Sequence, residues 1–176
     1  MKIPISSDKI ILSAVEKNDA KHLLELRTSP EVNKFLRRDT NKNLPEIESF
    51  INELRAGDSH FFTIKTPDSA FAGTICLWNI NLEDKYAEVG YELLPHFQGR
   101  GIMSAAMKAV LSFAFEELQF DCIGAYTHRE NLRSRKLLEK FDFTLNENKT
   151  DPEDPDNVIY EKRLTPTLPG LRRQSA

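Results

Sequence analysis

The sequence predicts a mixed α/β fold in which one sheet of six to seven strands is flanked by about four helices. Three observations carry this reading. Short stretches alternate apolar and polar residues at period two, most clearly Tyr86-Ala87-Glu88-Val89-Gly90-Tyr91-Glu92-Leu93. Other stretches repeat apolar residues at i, i+3, i+4 and i+7, as an amphipathic helix does. Proline, glycine and aspartate clusters separate the two kinds of segment. With 176 residues, 40% of them hydrophobic, the chain suits one compact domain over residues 1–164 with a substantial core.

Residues 10–15 read as the first strand. A helix follows near Asn18-Asp19, carries Ala20, Leu23 and Leu24, and is ended by Pro30. Pro45 and Glu46 open a second helix with Ile47, Phe50, Ile51 and Leu54 on one face, and Gly57 stops it. Strands at 61–65 and 71–79 flank the turn Pro67-Asp68-Ser69, and residues 81–85 lead into the strand at 86–94. There Ala87, Val89, Tyr91 and Leu93 share one face, while Glu88, Gly90 and Glu92 share the other. Pro95 ends regular pairing because it has no N–H. After a short link, Met103, Ala106, Met107, Val110, Leu111, Ala114 and Leu118 mark a helix of about four turns. A strand at 122–127, a helix at 131–141 and a final pair of strands at 143–147 and 157–164 complete the order. The acidic, proline-broken loop 151–156 joins that pair, and 165–176 reads as a flexible tail.

Gln98-Gly99-Arg100-Gly101-Ile102-Met103-Ser104 is the segment most suggestive of a ligand. Two glycines remove the Cβ atoms that would hold a ligand away from the backbone, and the helix that follows presents unpaired N–H groups and the positive end of its dipole. Such a turn suits phosphate, with amides from Gly99 to Ser104 as donors and Arg100 as an added cation. Because a plain turn can also carry two glycines, the flanking strand and helix supply the weight.

Composition excludes several classes. A charged fraction of 29% with net charge −3 gives no sign of general nucleic-acid binding. The apolar runs are too short to span a membrane, and Met1-Lys2-Ile3-Pro4 leads into polar residues rather than a secretory leader, so a cytoplasmic setting is expected. Cys76 and Cys122 read as buried thiols without metal-ligand spacing, and no metal is implied.

The order strand, phosphate turn, helix, strand, helix resembles the GCN5-related N-acetyltransferase (GNAT) superfamily. The resemblance rests on Gln98, Gly101 and Met103 against its Q/R-x-x-G-x-G/A signature, with Met103 departing from the small residue. It rests also on Asn131, Ser134, Leu137, Glu139, Lys140 and Phe143 against N-x-x-S/A…L-x-E-K-x-G-F. Asp142 stands where glycine is usual, which calls for an αL aspartate. With Ser29-Pro30-Glu31-Val32, the chain is most similar to the RimJ/RimL-like branch of ribosomal-protein N-acetyltransferases, over roughly residues 10–164. The resemblance implies a mostly antiparallel sheet and acetyl-CoA as cosubstrate. It implies main-chain pairing of Leu93 and Leu94 with pantetheine, Asn131 and Ser134 facing pantetheine and sulfur, and compatibility with a homodimer.

Acetyl transfer to an amine needs a neutral nucleophile, a polarised thioester carbonyl and support for the leaving thiolate. Glu88 and Glu92 lie two apart on one strand face and are the candidate bases. Glu92, nearer the thioester end, is preferred, against the alternative that both simply face water. His96 and His128 read as surface histidines. The superfamily's frequent tyrosine seven residues after the motif asparagine is Leu138 here, which leaves the Ser134 hydroxyl to support the thiolate. Asn131 can equally serve as an N-cap. The leading acceptor, by resemblance, is a protein N-terminal α-amine. A polyamine, aminoglycoside or amino-acid derivative is the alternative, drawn by the acidic 151–156 loop, and a noncatalytic acyl-CoA-binding domain is the reading from a different class.

Overall fold

The computed structural model describes residues 5–164; the expected tail lies outside the described residues. Its strands are β1 (Ile5–Ser6), β2 (Ile11–Ala14), β3 (His60–Lys65), β4 (Phe71–Asn81), β5 (Tyr86–Leu93), β6 (Cys122–His128), β7 (Thr144–Leu145) and β8 (Asn157–Arg163). They form one sheet in the order β1-β2-β3-β4-β5-β6-β8-β7. Every pairing is antiparallel except β5 with β6, which are joined by the long crossover through a helix that parallel neighbours require. The helices are α1 (Ala20–Thr28), α2 (Pro30–Asn33), α3 (Leu44–Ala56), α4 (Ile102–Ser112) and α5 (Leu132–Lys140). None is long and apolar enough to cross a membrane.

Neighbouring strand residues point to opposite faces, so Phe61 and Phe62 show which helices cover which side. The Phe61 ring meets Phe50 of α3 edge-on at 6.1 Å, whereas Phe62 meets Phe113, just beyond α4, at 6.1 Å. Thus α3, and α1 packed against it, cover one face over β2 to β4, and α4 covers the other. Cα pairing of Phe61 with Cys76 and of Cys76 with Gly90 puts Glu88, Gly90 and Glu92 on the α1/α3 side. Ala87 and Val89 are buried on the α4 side with Leu12, Ile64, Ile75, Leu77 and Ile123.

Local chemistry accounts for most boundaries. Asn43 caps α3 by accepting from the Glu46 N–H at 3.1 Å while Glu46 accepts from the Asn43 N–H at 2.9 Å, a reciprocal cap worth about 1 kcal/mol. Pro30 ends α1 as expected and also opens the four-residue α2, capped by Ser29. The expected four-turn helix after Gly101 is α-helical only to Ser112. Residues Phe113–Glu117 widen into a π-turn, with the Leu118 N–H on the Phe113 carbonyl at 3.0 Å. The wider turn lets three consecutive residues, Phe113, Ala114 and Phe115, all be buried. The strand expected at 143–147 shortens to Thr144–Leu145 at the sheet edge, and β1 was not anticipated. Asp142 adopts the left-handed conformation expected of it, at φ 59°.

Candidate active site

The pairing of β5 with β6 covers only Tyr86 with Cys122, Ala87 with Ile123 and Glu88 with Gly124. Beyond that point β5 stays paired with β4 as far as Leu93, and β6 stays paired with β8 as far as His128. The sheet therefore splits into a wedge between β5 and β6. The Leu94 N–H donates to the Ala72 carbonyl on the β4 side at 2.9 Å. Because main-chain groups alternate sides along a strand, Val89, Tyr91 and Leu93 turn theirs into the wedge. Leu94 differs from Leu93 in where its main chain is engaged. The Leu94 amide is engaged by the sheet and its side chain by the core, whereas Leu93 turns its main-chain edge to the wedge.

Side chains tie the two walls together. Gln98 donates from Nε2 to the Leu93 carbonyl at 3.1 Å and accepts from Arg133 of α5 at 2.7 Å. The Tyr91 and Ser134 hydroxyls meet at 2.8 Å. Asn131 caps α5, its Oδ1 accepting from the Ser134 N–H at 3.2 Å. Burial pushes the Tyr91 phenol up to about 12, so it remains protonated. The alternation places Tyr91 on one face with Ala87, Val89 and Leu93, and nothing in the linear order links it to Ser134.

At the outer end, Gly99 and Gly101 have φ of 76° and 77°, a conformation glycine adopts without a Cβ penalty. A Cβ at Gly99 would meet nothing within 4 Å, and no side chain caps α4 at Gly101. The first amides of α4 are left for a ligand. Ile102 and Met103 point into the core, so the methionine in the small-residue position leaves the turn open. Four cations gather here. Arg100 is exposed beside Phe97, Arg133 holds Gln98, Lys140 donates to Ser104 Oγ at 3.2 Å, and Lys9 Nζ lies 3.4 Å from where a Gly101 Cβ would be. None of them has a carboxylate partner among the described residues' ion pairs. In a chain of net charge −3, such an uncompensated cluster on bare helix amides fits a phosphorylated group. Lys9 comes from the β1–β2 turn, far away in sequence.

The opposite face holds the carboxylates. Arg38 grips both oxygens of Glu92, at 2.6 and 2.7 Å, and also donates to Asn33 at 2.5 Å. Glu92, preferred as base from its position in the strand, is therefore engaged as an ion-pair acceptor. Glu88 is only 5% exposed. Asn79 Nδ2 donates to it at 2.7 Å and Tyr86 Oη at 3.5 Å, while burial holds its carboxyl above the ordinary glutamate value. Asn79 reaches it from an irregularity in β4 between Trp78 and Asn81, where its own φ is 47°. The acidic loop is less available than its composition suggests: Arg37 pairs with Asp154 at 3.0 Å and Asp156 at 3.1 Å. His96 is exposed beside Phe97, and His128 packs on Phe35 at the end of β6. Cys76 and Cys122 are free thiols.

The chain is similar to known proteins along most of its length. Residues 9–144 match the family model described as Acetyltransferase (GNAT) domain. The chain is 28% identical over 144 residues to "Putative ribosomal N-acetyltransferase YdaF" of Bacillus subtilis, covering 78% of this chain and 79% of the relative. It is 24% identical over 123 residues to acetyltransferase PseH of Campylobacter jejuni, covering 70% and 75%. Spermidine N-acetyltransferase from Vibrio cholerae, solved with CoA and spermine, superposes with a TM-score of 0.77 at 18% identity, covering 88% of this chain and 94% of that one.

Proposed function

The chain belongs to the GNAT acetyltransferase family, and from that premise we propose that it transfers an acetyl group from acetyl-CoA to a primary amine by direct attack, the leading acceptor being a polypeptide α-amine. The observation that carries the reading is the wedge between β5 and β6, closed at its outer end by the four-cation glycine turn. Amides from Gly99 to Ser104, with Lys9, Arg100 and Lys140, hold the pyrophosphate end. The main-chain edge of Val89, Tyr91 and Leu93, with Asn131 opposite, holds the pantetheine arm. Acetyl-CoA supplies the acyl group as a thioester, which exchanges its C–S bond for the C–N bond of the product amide.

The chain's own residues manage the protons. Glu88, buried and held above the usual glutamate range, takes the proton that the incoming ammonium must lose. Glu92, neutralised by Arg38, holds the acceptor wall. Either hydroxyl of the Tyr91–Ser134 pair can donate across their 2.8 Å contact, and with Tyr91 as donor the serine proton is free for the leaving thiolate. An open face, with Trp78 49% exposed, supports a polypeptide terminus over an enclosed small molecule, as does the name of the Bacillus subtilis relative. The spermidine acetyltransferase likeness favours a small polyamine as the second reading. The test is release of free coenzyme A with N-terminal peptides and polyamines as acceptors. Release with peptides supports the first reading, release with polyamines alone the second. No release while acetyl-CoA still binds overturns both in favour of a noncatalytic domain.

A further inference from the structure

The sheet face that carries Glu88 is floored by aromatic rings. Gly124 makes room for one of them, since a Cβ there would lie 2.0 Å from Tyr86 Oη, and Gly90 borders another, since a Cβ there would touch Trp78 Nε1 at an ordinary 3.6 Å. Trp78 is Cα-paired with Glu88, and Glu88 with Gly124, so the indole, the carboxylate and the phenol lie along one row of the sheet. Trp78, paired with Glu88, remains 49% exposed, and Tyr126, two residues beyond Gly124 on the same face and close enough to feel the Glu88 charge, 37%, although that carboxyl is almost wholly buried. A large aromatic surface left in water around a sunken carboxylate has the chemistry that attracts alkylammonium ions, through the ring quadrupole and the charge together. One ammonium already rests at the rim. Lys149 Nζ lies 5.7 Å from the Tyr86 ring centroid and 2.7 Å from Glu161 Oε1.

We propose that Trp78, Tyr86 and Tyr126 form, with Glu88, a receiving site for the acceptor in its protonated alkylammonium form, and that quaternary ammonium ions bind the same site as unreactive occupants. The inference rests on reading this face as the acceptor side. An arriving ammonium exchanges water for the rings and gives one N–H proton to a Glu88 oxygen, and the free amine is left facing the wedge. A quaternary ammonium has no proton to give and no lone pair, so it occupies the site without reacting. Aryl amines, uncharged at neutral pH, gain neither cation–π nor charge attraction there and are poorer acceptors than alkylamines.

Trp78 is the only tryptophan in the chain, so its emission reports on the site directly. The experiment titrates the full-length protein with butyltrimethylammonium and, separately, with its uncharged carbon isostere. The expected result is a saturable change in Trp78 emission with the cation and none with the isostere. Affinity should fall about tenfold in Tyr126→Ala and in Glu88→Gln, each checked for folding by circular dichroism, the tenfold matching a lost cation–π contact of moderate size. Lys149→Ala, which removes the resident ammonium, should tighten binding. In turnover assays the cation should raise the amine KM and leave the acetyl-CoA KM unchanged. Equal responses to cation and isostere, or unchanged affinity in both site variants, overturn the proposal. If the cation binds but no amine is acetylated, the catalytic reading fails alone; if amines are acetylated and the cation neither binds nor inhibits, the receiving site fails alone.

Discussion

Glu92→Gln separates a base from an ion-pair partner. Glu92 and Arg38 have side-chain exposures of 18% and 16% and meet through two short bonds. Charge centres about 4 Å apart attract by about 4 kcal/mol at an effective dielectric of about 20, before desolvation and side-chain ordering are subtracted. Exposed pairs retain about 0–1 kcal/mol, and breaking a fully buried pair costs about 3–5 kcal/mol. This half-buried, bidentate pair falls between, at about 2 kcal/mol. The neighbouring Arg27, its pKa lowered by burial and by Arg38, adds to the repulsion once Glu92 is neutral. For a chain of this length the loss corresponds to a fall in Tm of about 4–8 °C. Turnover with saturating acceptor should fall by less than about tenfold, with the shape of its pH profile retained. The assays are thermal unfolding followed by circular dichroism, and kcat measured across pH. An unchanged Tm together with a hundredfold or larger loss of kcat and disappearance of its acidic limb would refute the assignment and return Glu92 to the role of base.

Glu88→Gln should lower kcat about 10²- to 10⁴-fold and remove the acidic limb of the pH–rate profile, which in the parent protein lies above the ordinary glutamate value of 4.5. The same variant should be more stable than the parent at neutral pH. A raised folded-state pKa means that stability is complete below the unfolded value and is lost as pH rises through the folded one, and glutamine escapes that loss. Urea midpoints at pH 4 and pH 8 check it: the two proteins should agree at the lower pH and diverge at the higher. Gly101→Glu should abolish acetyl-CoA binding by calorimetry, whereas Gly101→Ala, strained at φ 77°, should cost about 1–2 kcal/mol of stability. Tyr91→Phe and Ser134→Ala should each lower kcat with little change in acetyl-CoA affinity, and the double variant should lose no more than the worse single one. Additive losses would mean that the 2.8 Å hydroxyl contact has no part in turnover.

Much of the site was legible because its physics is local. The glycine turn needs positive φ at Gly99 and Gly101, and only the identity of those residues and the helix after them is required to see it. The Asn131 cap and the αL Asp142 follow in the same way from short-range backbone chemistry. The alternation of residues 86–93 correctly put Glu88 and Glu92 on one face. It could not rank them, because the ranking depends on Arg38, fifty-four residues from Glu92, and on Asn79 across a β4 irregularity. The acidic loop shows the same limit: its composition is acidic, but Arg37 from the α2–α3 connection pairs with Asp154 and Asp156, and Arg129 also pairs with Asp156.

By itself, then, the sequence determined most of the order of strands and helices, the positive-φ glycine turn and the family, since each depends on side chains within a few positions of one another. Tertiary structure alone decided where β5 and β6 part, which main-chain groups of β5 face the wedge, which glutamate an arginine takes up, and that Lys9 lies beside Gly101, Tyr91 against Ser134 and Trp78 across from Glu88. Those outcomes depend on strand register and on charges brought together from distant segments. A pattern of period two or 3.6 fixes the face a residue lies on and leaves open what will be packed against it.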